Sequence, residues 1–222
     1  MDAANQPRDE AFGYSCRRCL RCCRDKRIQL NPYEVARLAQ NRSQTTTAFR
    51  KAHTQDGEGL ELARTADGAC VFLGDAVCTV HGDRPLACRV YPLGRHRTFE
   101  GVESFSRVEP HPQSAGEIHA RGDISAYLRD QGAEPYLRAS DAYMDWLGQA
   151  IAQLSHQTGQ THHAVVAAPV ADDRLLDMDE ALAGWAADTG LALPRDIGGR
   201  MALHLSILGH HLEALGETSD AS

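Results

Sequence analysis

Apolar positions recur at helical spacing through the second half of the chain and fall into short alternating runs in the first. The clearest stripe is Met201, Leu205, Leu208, Leu212 and Leu215, at steps of 4, 3, 4 and 3, one face of an amphipathic helix. Upstream, Asp123 can cap a helix over Ile124–Gln131 that Gly132 ends. Pro135 opens a long helix carrying Tyr136, Tyr143, Leu147, Ala150 and Leu154, and Asp177 to Ala187 also reads as helix. Between these lie a polar loop, Gln157 to His163, and a short apolar connector, Val165 to Val170. The first half has two helical stretches. Asn31-Pro32-Tyr33-Glu34 supplies an N-cap amide, Pro at N1 and Glu at N3 for a helix to about Gln40, and a second is expected over Thr45–His53.

The remainder of the first half reads as strands and turns. Leu60 and Leu62 flank Glu61 as in a half-buried strand. Ala69–Leu73 and Val77–Val80 enclose Gly74-Asp75 as a hairpin, Gly82 to Pro85 is a turn, and Thr98–Val108 holds one or two short strands. The expected fold is α+β. A cysteine-rich metal-binding module of short strands and loops (13–121) follows a disordered tail (1–12). A mainly α-helical layer (122–216) and a loose tail (217–222) complete the chain.

Composition limits the function classes. With 222 residues, 42% hydrophobic and 24% charged, the chain has enough apolar material for a packed core. It has no apolar run near the ~20 residues of a membrane span. Met1–Ser15 lacks the apolar core of a secretory signal, so a cytoplasmic location is expected. The net charge of −7 is unevenly divided: residues 1–107 carry 17 Lys and Arg against 13 Asp and Glu, and residues 108–222 carry 6 against 17. The overall acidity argues against a nucleic-acid partner, which needs a broad basic face.

All seven cysteines lie in the basic half. In a reducing compartment they point to metal or redox chemistry rather than disulfides. Cys16, Cys19, Cys22 and Cys23 form a C-x2-C-x2-C-C run, with Cys70, Cys78 and Cys88 as remote partners. The C-x2-C-x2-C spacing is that by which ferredoxins give three thiolates to one cubane cluster. Adjacent Cys22 and Cys23 suit two centres or one multi-iron cluster better than a single tetrahedral ion. Seven thiolates plus His81, three residues after Cys78, equally make eight ligands for two structural zinc ions. Spacing leaves both open. Arg17, Arg18, Arg21, Arg24, Lys26 and Arg27 around the first cysteines, and Arg84 and Arg89 around Cys88, offset thiolate charge. Arg89 and Tyr91, with Arg84, are candidates to orient the Cys88 loop.

These blocks, with Cys70-Val71-Phe72-Leu73, Cys78-Thr79-Val80-His81, Arg84-Pro85 and Cys88-Arg89-Val90-Tyr91-Pro92, resemble the YkgJ-type CxxCxxCC cysteine-cluster family over roughly residues 13–145. That family is described as zinc- or iron-chelating. The same pattern occurs in flagellin lysine N-methylases, where it is linked to a [4Fe-4S] cluster and methyl transfer. The resemblance implies an iron–sulfur cluster as cofactor, with zinc the alternative, and a redox or modification reaction acting with a protein substrate or redox partner. Where many relatives carry a further cysteine in a Cys-Pro-Gly block, this chain has Glu109-Pro110-His111-Pro112, so His111 is a second candidate imidazole ligand.

Other chemistries lack their motifs. The sequence has no CxxxCxxC, no glycine-rich dinucleotide turn, no Walker A loop, no GxSxG and no HExxH. An oxygen-activating iron enzyme is a further alternative, but no carboxylates group with the histidines. His204 and His211, seven apart on one helix face with His210 beside them, and His162-His163 read as satisfied or exposed rather than ligands.

Overall fold

The computed structural model describes residues 5–57, 59–158 and 173–217. The expected connector Val165–Val170, most of the polar loop before it and nearly all of the C-terminal tail lie outside these residues. The fold is α+β, with two small antiparallel pairs of strands and seven α-helices among the described residues. No described helix is long and apolar enough to cross a membrane.

The chain divides into two units, and not at residue 122. Residues up to Leu30 group with Glu61–Arg138, and Asn31–Leu60 groups with everything after Ala139. The 13–121 module is therefore interrupted, and the helices at 32–53 belong with the C-terminal ones. Their apolar residues Val35, Leu38 and Phe49 are buried, since a helix with an apolar face requires a packed layer to cover it.

In the first unit, β1 (Ala11–Ser15) pairs antiparallel with β4 (Glu117–Asp123), and β2 (Leu93–Arg97) with β3 (Glu103–Arg107). Two short helices, α3 (Leu86–Val90) and α4 (Ile124–Asp130), complete it with the first turn of α5 (Glu134–Thr158). Asp123 caps α4 through Ala126 N, as its sequence position suggests, and Gly132 follows with φ +61°. Phe12, Val90, Leu93, Phe105, Ile124, Leu128 and Leu137 form the core, with Phe12 edge-on to Tyr127 at 5.0 Å.

The expected disordered tail is a structured segment from residue 5 onward. Gln6 and Phe105 exchange backbone hydrogen bonds of 2.8 and 2.9 Å, Arg8 pairs with Glu103 at 2.5 Å, and Phe12 is buried. One aromatic residue in a polar stretch supplies the anchor, because burying a Phe side chain contributes ~1.5–3 kcal/mol. The strand expected at 60–62 is a single bridge, Gln29 to Glu61, and the expected hairpin is an irregular turn closed by Leu73 and Cys78. The second segment carries Cys70, Cys78 and the Gly74-Asp75 turn in place of a run of pairing residues.

In the second unit, α1 (Pro32–Asn41) begins with the expected capping box of Asn31 and Glu34, and α2 (Thr46–His53) is capped by Thr45. They join most of α5, α6 (Met178–Thr189) and α7 (Ile197–Glu217). Ala36, Met178 and Leu182 form a buried cluster with Ile197, Met201 and Ile207 packed on it. Leu208 and Leu212 of the α7 stripe are buried, and so is His204. His204 is a satisfied core histidine: Nδ1 lies 2.8 Å from the Tyr143 hydroxyl and Nε2 2.7 Å from Leu175 O.

Candidate metal centre

All seven cysteines are free, and all fall in the first unit. The run Cys16–Cys23 follows β1 directly and is curled by the backbone. Arg18 and Leu20 lie in the left-handed region (φ +52° and +63°), as does Asp25 (φ +54°). None is glycine, and each such residue costs roughly 1–2 kcal/mol. A 3-10 turn at Arg21–Cys23 tightens the coil, with Cys23 N bonded to Leu20 O at 3.1 Å. The segment then pairs with the stretch around Cys70. Cys70 N donates to Cys23 O (2.9 Å) and Asp25 N to Gly68 O (2.9 Å). Gly68 is required there: it has φ +80°, and a Cβ would strike the Asp25 carboxylate.

Cys78 joins through its bridge to Leu73, with Gly74 N donating to Val77 O (3.0 Å) to close the turn. Cys88 sits in α3, its N–H held by Pro85 O at 2.9 Å. The thiols sense one another. Cys22 and Cys23 share a hydrogen bond, Cys88 and Cys78 act on Cys23, Cys22 acts on Cys78 and Cys19, and Cys78 acts on Cys70. Among the described residues, no three His, Cys, Asp or Glu side chains form a ready-made coordination group. Six thiols are thus gathered within electrostatic reach without being closed on a point.

The donor chemistry fits a thiophilic metal. Hydrogen bonding from Cys23, assisted by Lys26 and Arg84, lowers the Cys22 thiol to about 7. Its partner Cys23 is pushed up, first by that same hydrogen bond and then by burial. Amide donors, the Arg21 N–H foremost, lower Cys19, whereas burial raises Cys70 and Cys78. Crowded thiols cannot all ionise together without a cation, so a bound metal would resolve their mutual repulsion. Two sulfurs already accept amide hydrogen bonds: Arg18 N to Cys16 Sγ at 3.4 Å and Ala115 N to Cys19 Sγ at 3.5 Å.

The two candidate histidines are placed differently. His81 is exposed, and its Nδ1 is 3.5 Å from the Arg84 guanidinium. Partial burial and the cations Arg84, Arg18 and Arg89 lower its pKa, favouring the neutral, ligand-competent ring. His111 turns its ring onto its own loop: Nδ1 accepts from Gln113 N (3.0 Å).

The residues expected to orient the Cys88 loop have distinct roles. Arg89 is buried and holds four oxygens: Arg84 O (3.0 Å), Gln131 O (2.8 Å), Gly82 O (2.5 Å) and the Tyr136 hydroxyl (2.9 Å). It ties the turn before α3 to the α4–α5 connection and the start of α5. Arg84 donates to His81 O (2.8 Å) and Gln131 Oε1 (2.8 Å), and its charge faces Cys78 and Cys88. Tyr91 O accepts from the Tyr127 hydroxyl at 2.5 Å, and the Tyr91 hydroxyl accepts from His111 N at 3.4 Å. Not every nearby cation serves the thiols: Arg24 pairs with Asp67 (2.8 Å) and Arg27 with Glu61 (2.7 Å). Sequence reasoning missed Tyr14, Ser114 and Ala115, which meet at Cys19; no local motif marks them. A cavity of about 450 Å³ opens beside the cluster, lined by Cys19, Arg21, Arg24, Asp67, Cys70 and Asp75 among others.

No curated protein and no solved structure matches the chain. Residues 15–106, which hold all seven cysteines, match the CxxCxxCC family model, described as "Putative zinc- or iron-chelating domain", the cysteine-cluster family that the motif blocks resemble.

Proposed function

We infer that the cysteine cluster holds an iron–sulfur centre, a [4Fe-4S] cluster, and serves a redox or modification reaction in the cytoplasm. Cys16, Cys19 and Cys22 are its leading ligands, and a fourth comes from among Cys23, Cys70, Cys78 and Cys88. The observation that carries this reading is the coil at residues 16–25. Three non-glycine residues adopt left-handed backbone there, and amides of the coil point at the Cys16 and Cys19 sulfurs. Backbone strain of this kind persists where the surroundings enforce it, and it clusters at functional sites. Amide hydrogen bonds to cysteinyl sulfurs offset the negative charge of an iron–sulfur centre.

When bound, the centre would supply electron transfer or, at an incompletely ligated iron, a site for substrate. The chain's own residues supply the setting. Arg84 and Lys26 offset thiolate charge, Arg89 fixes the Cys88 turn, and the cavity beside Cys19 and Cys70 gives access to a substrate group or a redox partner. A protein substrate with methyl transfer is one reaction consistent with this arrangement. The neutral state of His81 favours a second reading, in which seven thiolates and His81 close two zinc sites and the module is a non-catalytic interaction unit.

Anaerobic purification separates the two. The iron–sulfur reading expects brown protein with iron and acid-labile sulfide. Colourless protein with about two zinc ions per chain, the count that eight ligands in tetrahedral sites require, would establish the second reading instead.

A further inference from the structure

The loop at 111–116 lies beyond the family match at 15–106, yet it reaches the cysteine run. It contributes no thiol. It brings donors instead. Ala115 N points at Cys19 Sγ from 3.5 Å, and Ser114 Oγ is 3.9 Å from the same sulfur. Ser114 has two further partners: Gly116 N at 3.2 Å, which donates to it, and the Tyr14 hydroxyl at 3.4 Å.

The valence of a hydroxyl orders this network. Serine has one O–H to give and two lone pairs to fill. Gly116 N–H fills one lone pair. If Tyr14 O–H fills the other, the serine proton goes to Cys19, whose sulfur then accepts and does not donate. That sulfur also accepts from the Ala115 amide, so its surroundings are donors, which suits a thiolate ligand. The loop is locked in place by Gly116, where a Cβ would run into the Tyr14 hydroxyl, and by the pairing of Tyr14 with Ile118 in β1–β4.

We propose that the 111–116 loop is a positioning element of the metal centre, in which Tyr14 hands a hydrogen bond to Ser114, and Ser114 and Ala115 hold the Cys19 sulfur as a metal-bound thiolate. The proposal rests on Cys19 being a ligand in the reading above, but not on which metal is native. Hydrogen bonds to a cysteinyl sulfur withdraw charge from it and tune the metal.

The test uses the full chain, stripped of metal and titrated anaerobically with Co²⁺. Its sulfur-to-cobalt charge-transfer band reports the donor energy of the thiolates. Ser114→Ala should move the band to lower energy and weaken Co²⁺ binding by roughly tenfold, the low end for loss of a group that orients a ligand. Ser114→Thr should restore both, and Gly116→Ala should reproduce the band shift by displacing the loop. A role in folding alone would lower thermal stability without moving the band. Ser114→Ala with an unchanged band and affinity, beside a Cys19→Ser chain that loses intensity, overturns the loop proposal and leaves the ligand reading intact. A Cys19→Ser chain identical to wild type, or a wild type with no such band, overturns the premise and the proposal together.

Discussion

Replacing Arg89 by methionine keeps most of the side chain's volume and removes its guanidinium. The wild-type group is 6% exposed, sits 4.0 Å over the Tyr136 ring and gives hydrogen bonds to four oxygens. Three of these are backbone carbonyls, of Gly82, Arg84 and Gln131. A buried acceptor deprived of its donor costs ~1–3 kcal/mol, and part of that is recovered where water enters. The loss of a cation–π contact adds about 0.5–2 kcal/mol. The sum is offset by the desolvation of the guanidinium, which the variant no longer bears. A net loss of roughly 3–5 kcal/mol follows, within the range for breaking a buried charged network. At 2–8 °C per kcal/mol, depending on the size of the cooperative unit, this is a drop in Tm of roughly 6–40 °C. Arg89→Lys should keep most of the defect, because one ammonium with three donors cannot span four acceptors on separate turns. Calorimetry of the anaerobically purified proteins, with metal content determined on the same samples, is the assay. A drop under about 3 °C for Arg89→Met, near 1 kcal/mol or less, would show that the turns at Gly82–Arg84 and Gln131 do not depend on Arg89.

Three further outcomes are expected. Cys22→Ser should lose metal and destabilise the first unit, since ligand binding and folding are coupled in small metal modules, while far-UV circular dichroism retains most of the helix signal from α1, α2, α6 and α7; unchanged metal content would remove Cys22 from the ligand set. Asp177→Ala should destabilise the second unit by roughly 3–5 kcal/mol in urea unfolding, because the buried carboxylate caps α6, accepts from Thr46 Oγ1 at 2.5 Å and faces Arg50 at 3.4 Å; a midpoint equal to wild type would contradict this. Burial lowers the pKa of His204 from its ordinary 6.5, so the unfolded chain binds its proton first; this contribution to stability is complete above 6.5 and falls as pH drops through the window below it. His204→Gln, which keeps a donor and an acceptor, should flatten the fall, and identical pH profiles for the two proteins would refute the assignment.

The sequence by itself determined six of the seven described helices, the caps of four and the donor chemistry of the site; it did not mark α3. Asn31 with Glu34, Thr45, Asp123 and Asp177 act on amides two to three residues away, so their caps are written locally. Thiols are rare and metal-seeking wherever they sit, and the spacing of Cys16, Cys19 and Cys22 already specifies a coil. Tertiary structure decided what depends on distant partners. Phe12 turned a polar stretch into core because Tyr127 and Leu128 await it, and the helices at 32–53 joined the far end of the chain because Thr46 and Arg50 meet Asp177. Arg89 became a clamp through Gln131 and Tyr136, more than forty residues away. His111, rigid between two prolines in sequence, turned to its own backbone, and the neighbouring Ser114 and Ala115 met Cys19 instead. Hydrogen-bond donors are carried by nearly every residue, so which of them reaches a sulfur is fixed by strand pairing between β1 and β4 and not by any local pattern.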